Sequence, residues 1–164
     1  MTKPLWAPWR LEYIVQADEQ EGCVFCVEAA DSLAPAESLR IHAGDTAVAL
    51  LNKFPYASGH LMVAPRRHLG ALGELTDDEA LEIHRLATAA VEVLTRVYGP
   101  GGFNLGWNLG RAAGAGIADH VHLHVVPRWA GDTNFMPVLA EVKVIPEHLL
   151  ETRDRLREAW PSTG

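Results

Sequence analysis

His120, His122 and His124 occupy alternate positions in the run Asp119-His120-Val121-His122-Leu123-His124-Val125-Val126-Pro127-Arg128. Imidazole changes charge near neutral pH, and its neutral form offers one nitrogen as a nucleophile or a metal ligand. The intervening Val121, Leu123 and Val125 are aliphatic, so the segment reads as a strand with one apolar face and one histidine face. Alternate side chains stand about 6.6–6.8 Å apart along a strand. Three titratable rings in such a row have no obvious stabilising value, so the pattern points to chemistry. The central ring, His122, has a histidine on each side. Held at one nitrogen by an acceptor, such as a backbone carbonyl of the adjoining glycine-rich loop, it can attack with the other while a neighbour stabilises developing charge. Two other readings stay open: His-x-His ligation of a catalytic zinc with a third ligand and a water, and ordinary half-buried histidines. A cupin-like site would want a Glu soon after His-x-His, and Val125, Val126, Pro127 and Arg128 follow instead.

Other groups of suitable chemistry surround this strand in the sequence. The loop Gly110-Arg111-Ala112-Ala113-Gly114-Ala115-Gly116 precedes it, and Gly114 and Gly116 leave backbone N–H groups able to cradle phosphate oxygens, or else form a tight turn. Cys23 and Cys26 are the only cysteines. Their spacing suggests a metal site or a redox pair. The βαβ pattern of a thioredoxin-like redox motif is absent, and zinc would need two further ligands. Arg10, Lys53, Arg66, Arg67, Arg111 and Arg128 are cations that either line an anion pocket or lie solvated on the surface.

These groups need a scaffold. The chain has 164 residues, 48% hydrophobic and 21% charged, with a net charge of −7. That suits one globular domain over 1–164, with an N-terminal arm (1–22), a core (23–130) and a C-terminal extension and helix (131–164). The acidic balance argues against a nucleic-acid coat and leaves room for a small anionic ligand. No apolar run approaches a membrane span, and the first residues lack a signal-peptide pattern, so a cytoplasmic protein with no membrane partner is expected. Thr46–Leu51 and His60–Pro65 read as strands of an antiparallel hairpin with a long loop. Residues 29–38 read as loop. Thr76 to Glu79 form a capping box, and Ala80, Ile83, Ala87, Ala90, Leu94 and Val97 recur at helical spacing until Gly99-Pro100-Gly101-Gly102 stops the helix. Phe103–Asn108 reads as a strand, and Pro146–Trp160 as a second helix with Pro at its first turn. This order predicts an α+β fold, an antiparallel meander sheet with one long helix and a C-terminal helix.

With these features in place, the run His120 to Val126 resembles the His-φ-His-φ-His-φ-φ signature of the histidine triad (HIT) superfamily. Asn52–Pro65, with Gly59 and His60 before an apolar strand, resembles its nucleoside-binding hairpin. Asn108-Leu109-Gly110 and the loop behind it resemble its phosphate-binding segment. The likeness covers roughly 22–130. Leu5–Arg10 and Pro127–Phe135 resemble the bacterial branch similar to diadenosine tetraphosphate phosphorylases and hydrolases. The resemblance implies a HIT-like fold and a nucleotidyl hydrolase or transferase cleaving a dinucleoside polyphosphate. His122 would attack the α-phosphorus to form a nucleotidyl-histidine, with His120, His124 and His60 completing the catalytic set. His124 and Asn108 would contact phosphate oxygens beside the amides near Gly114 and Gly116, and Asn52 would bind the ribose. The base would occupy a slot near Val48 and Leu50. The resemblance also implies a structural zinc on Cys23, Cys26, His68 and His120, and a homodimer formed through the long helix and a strand. Many members carry a Ser or Thr shortly before the triad; Gly116-Ile117-Ala118-Asp119 stands there instead, which questions amine leaving groups. A nucleotide sensor or scaffold with little turnover is the alternative function.

Overall fold

The structure is a computed structural model that describes residues 22–30, 33–34, 37–132 and 148–161. Most of the expected N-terminal arm and the residues from 133 to 147 lie outside the described residues. In chain order the elements are α1 (Val24–Ala29), β1 (Arg40–Ala43), β2 (Ala47–Leu51), β3 (Leu61–Pro65), α2 (Asp77–Tyr98), β4 (Gly102–Trp107), β5 (Leu123–Arg128) and α3 (Leu149–Ala159). The five strands form one antiparallel sheet in the order β1-β2-β3-β5-β4. Thus α2 carries the chain past the sheet, β4 takes the edge, and β5 returns between β4 and β3.

β2 and β3 are buried at every position, because both faces of the sheet are covered. Ala47, Ala49, Leu51, Leu61, Val63, Leu123 and Val125 point to one side, where Ile83, Leu86, Ala87, Ala90, Val93 and Leu94 of α2 meet them together with Leu156 of α3. Val48, Leu50, Met62 and Ala64 point to the other side, against Phe25 and Ala29 of α1. The period-two alternation of the strands therefore assigns alternate residues to two separate cores.

The long helix forms where its pattern predicts. Thr76 accepts from the Glu79 amide, Glu79 reaches back to the Thr76 amide, and Gly99 ends the helix in the left-handed region (φ 56°). Ala80 is exposed, so the buried stripe begins at Ile83. The hairpin loop has its own requirement at Gly59. There φ is +74°, and a Cβ would stand 2.7 Å from a Leu94 methyl.

Three local expectations change. α1 and β1 form in stretches to which no element was assigned, each too short for periodicity to register. α3 begins at Leu149 rather than at Pro146, with the His148 side chain accepting from the Leu150 amide as its cap. The strand carrying the triad begins at Leu123. His120 and His122 lie just before it, where the Val121 amide donates to the Leu69 carbonyl, outside the sheet ladder. None of the helices described is long and apolar enough to cross a membrane.

Candidate active site

Position in the sheet separates the triad into three environments. His124 sits on β5 opposite Met62, on the α1 side of the sheet. Its Nδ1 is 2.9 Å from His60 Nε2. His60, fully buried, receives the Tyr56 amide at its Nδ1 (3.0 Å), with the Asn52 amide nitrogen 3.4 Å away. Since donors converge on His60 Nδ1, its proton resides on Nε2 and is donated to His124 Nδ1. The proton of a neutral His124 is thereby directed to Nε2, which lies 3.3 Å from the Asn108 side-chain nitrogen, so the Asn108 amide accepts from this ring only when turned to present its oxygen. Backbone geometry in the 52–60 loop thus sets a tautomer two rings away.

His122 is 5% exposed, and its Nδ1 is 2.8 Å from the carbonyl oxygen of His120. A carbonyl only accepts, so Nδ1 carries the proton and Nε2 keeps its lone pair. The acceptor was expected in the glycine-rich loop; it is the carbonyl two residues back along the same segment. An acceptor this local is available because the segment has not yet entered the sheet, so this carbonyl is not committed to a ladder. Burial pushes the His122 pKa below its ordinary value, against the opposing pull of that hydrogen bond. The ring packs against Phe25 (centroids 4.6 Å apart) and edge-on to His124 (4.8 Å).

His120 turns the other way. Its Nε2–H donates to the Pro65 carbonyl (2.9 Å), which leaves Nδ1 unprotonated toward Cys23 Sγ at 3.2 Å and Cys26 Sγ at 3.7 Å. His68 Nδ1 is 3.3 Å from Cys26 Sγ, and its Nε2 is 3.6 Å from an Asp119 carboxylate oxygen. The four donor atoms lie within 4.8 Å of one another. Donors at zinc-like distances and tetrahedral angles stand roughly 3.3–3.8 Å apart, so this set fits a closed site for a metal ion. The carbonyl behind His120 and the carboxylate behind His68 are the partners that orient metal-binding imidazoles. Burial raises the Cys23 thiol to about 11, so loading a metal must release a proton there. The triad rings themselves do not converge on a point: among the described residues the one such donor cluster is Cys23, Cys26, His68 and His120.

A cavity of about 490 Å³ opens beside His122, walled by Val24, Phe25, Leu50, Asn52, Met62 and Ile117, with His148, Leu149 and Leu150 of the C-terminal helix at one side. Its size suits a small organic ligand, and its lining is mainly apolar. Leu50 lines it as expected. Val48 is instead buried in the core beneath Phe25. Asn52 also lines the cavity, its Oδ1 accepting from the Phe54 amide (2.9 Å). Sequence patterns did not indicate Phe25, Ile117 or the start of α3; the Phe between the two cysteines was the available signal for the first.

The glycine-rich loop behaves partly as a turn. The Gly114 amide donates to the Arg111 carbonyl with φ at +88°, and the Ala115 amide reaches the Gly110 carbonyl. Gly114 and Gly116 are not on the cavity wall, whereas Ile117 is. Of the six cations considered, Arg10 lies outside the described residues and Lys53 lines the cavity. Arg66 holds the Gly44 and Ala29 carbonyls, Arg67 holds Glu79, and Arg128 holds Asp132 and Asn104. Arg111 is exposed on the turn.

A sheet of this order, backed by a long helix and carrying the three histidines at one end, defines a class. The HIT domain family matches residues 35–131, and the chain belongs to that family. It is 40% identical over 162 residues to the AP-4-A phosphorylase of Mycobacterium tuberculosis, covering 95% of this chain and 83% of that one. It is 31% identical over 108 residues to an adenosine 5'-monophosphoramidase of Schizosaccharomyces pombe, covering 65% and 74%. Among solved structures, a zinc-bound histidine triad family protein from Mycobacterium smegmatis superposes with a TM-score of 0.67 at 24% identity, covering 84% and 92%, a likeness of fold.

Proposed function

We propose that this protein cleaves a dinucleoside polyphosphate, such as diadenosine tetraphosphate, through a covalent nucleotidyl-histidine. The observation that carries the reading is the His122 Nδ1–H donated to the His120 carbonyl at 2.8 Å, which leaves Nε2 as a buried lone pair beside the cavity. The Nε2 lone pair forms a bond to the α-phosphorus, and the bond from that phosphorus to the bridging oxygen breaks. The departing polyphosphate takes the electron pair and leaves as an anion, its oxygen accepting a hydrogen bond from His124 Nε2–H. Water or phosphate then attacks the same phosphorus and breaks the P–N bond, whose electron pair returns to Nε2, while the proton of the attacking group passes to solvent. Asn108 and the loop from Gly114 to Gly116, where the Gly116 amide lies beyond the two committed to the turn, are assigned to the phosphate oxygens, Asn52 to the ribose, and the apolar wall at Leu50 to the base. The likeness to an AP-4-A phosphorylase over 95% of the chain supports this substrate class.

We assign zinc to Cys23, Cys26, His68 and His120. With all four positions taken by protein, it would supply no reacting site. Held there, His120 keeps its carbonyl aimed at His122. We also assign a homodimer, formed by β4 at the sheet edge, where Asn104, Leu105 and Gly106 are exposed.

The test is product analysis on diadenosine tetraphosphate with and without phosphate. ADP plus ATP marks phosphorolysis, and AMP plus ATP marks hydrolysis. His122→Asn is expected to lower turnover by several orders of magnitude. A mutant with full activity removes the nucleophile. Tight AMP binding with negligible turnover by the unmutated protein would favour a sensor.

A further inference from the structure

The cysteine pair and the cavity share one short helix. α1 has six residues and no side-chain cap at Cys23. A helix of this length does not hold itself in water, so its position depends on what its side chains grip. Cys23 and Cys26 face His68 and His120. Between them in sequence, Phe25 is fully buried and meets two triad rings at once, His120 at 5.0 Å and His122 at 4.6 Å. Phe25 and its neighbour Val24 also form part of the cavity wall. At the other end of the helix, Glu28 lines the cavity too, its carboxylate accepting from the Ser38 hydroxyl and the Leu39 amide.

We propose that Phe25 is a positioning residue that couples the Cys23/Cys26/His68/His120 metal cluster to the nucleotide cavity, so that metal and nucleotide each strengthen the other's binding. The inference rests on the functional reading above and goes beyond it. A metal on the two cysteines ties α1 to elements far away in sequence. With α1 tied, Phe25 presents its ring as a ready-made wall to the nucleoside and as a lateral stop to His122. With the cysteines unligated, nucleotide must order that wall itself, and its affinity falls accordingly. Linkage makes the effect reciprocal: the factor by which metal raises nucleotide affinity equals the factor by which nucleotide raises metal affinity. A metal acting merely as a structural staple would couple to nucleotide to the same degree with or without the Phe25 ring, so removal of that ring separates the two cases.

The experiment uses the full chain, with Zn²⁺ and AMP as probes. AMP binding is measured by calorimetry on zinc-loaded and chelator-stripped protein, and zinc affinity by competition with a chromophoric chelator, with and without saturating AMP. Both ratios are expected to agree at about tenfold, within the roughly 5- to 150-fold usual for coupled sites. Phe25→Leu, which keeps an apolar side chain but loses the ring, is expected to retain zinc affinity, lose AMP affinity several-fold and bring both ratios toward one. Ratios of one in the unmutated protein, or ratios that Phe25→Leu leaves unchanged, overturn the coupling while leaving both sites standing. Failure of AMP or zinc to bind at all overturns the site assignments and the coupling with them. Should the stripped protein unfold, the rate at which excess chelator removes zinc from the loaded protein decides: slowing by AMP that Phe25→Leu abolishes supports the proposal, and a rate indifferent to AMP, or slowed equally in Phe25→Leu, overturns it.

Discussion

At the scale of single residues, the site is a matter of which nitrogen bears which proton. His122 is kept neutral by burial, with its free nitrogen defined by one carbonyl. Its folded pKa lies below 6.5, so as pH falls the attacking lone pair is lost only after an ordinary histidine would have been protonated. The acid limb of kcat/KM on diadenosine tetraphosphate is therefore expected below pH 6.5; a limb at or above that value would contradict the assignment. His60 acts through His124. Replacing it with Phe leaves His124 Nδ1 buried without its donor, at a cost of about 1–3 kcal/mol in stability by urea titration. Because the tautomer of His124 is then no longer imposed, kcat should fall more than KM rises.

At the scale of elements, two carboxylates on α2, the buried Glu79 and the half-buried Glu82, hold the chain around the strands. Glu82 accepts from the amides of Asp45, Thr46 and Ala47 and from the Thr46 hydroxyl. The turn before β2 packs so closely on this carboxylate that Gly44 has no room for a Cβ. Burial alone would raise the Glu82 pKa, but the four donors outweigh it and lower it. Glu82→Ala should cost about 1–3 kcal/mol, seen as a lower urea midpoint with an unchanged slope. Glu79 is held down to about 2 by the Arg67 guanidinium and the Thr76 cap. With a folded pKa below the unfolded 4.5, its contribution is present above pH 4.5 and is lost as pH drops toward 2. Circular dichroism across that window should show a loss of stability that Glu79→Gln reduces.

At the scale of the molecule, two expectations concern assembly and metal. If β4 pairs with its copy, light scattering will report about twice the mass of one chain, and Leu105→Lys, placing a charge on the exposed edge, will shift it toward the monomer. A mass of one chain for the unmutated protein would remove the dimer. Chelation is expected to lower the melting temperature, because a metal bound only in the folded state adds to folding stability. A melting temperature indifferent to chelator would remove the metal.

The long helix, the β2–β3 hairpin and the histidine row were legible because each repeats a local rule over enough residues to be read: caps, period 3.6, period two. α1 and β1 were not, being four to six residues long and stabilised mainly by what they touch. The chemistry of the triad was likewise legible as residue types, but its division of labour was not. Alternate positions on an ideal strand would aim three rings the same way. The chain instead enters the sheet only at Leu123, so His120 rotates toward cysteines 97 and 94 residues away in sequence. Residue type and spacing thus determined what chemistry this chain could perform. Which ring faces the cavity, which faces the metal cluster and which nitrogen stays bare were decided by tertiary structure, because hydrogen-bond partners and burial come from residues that only folding brings together.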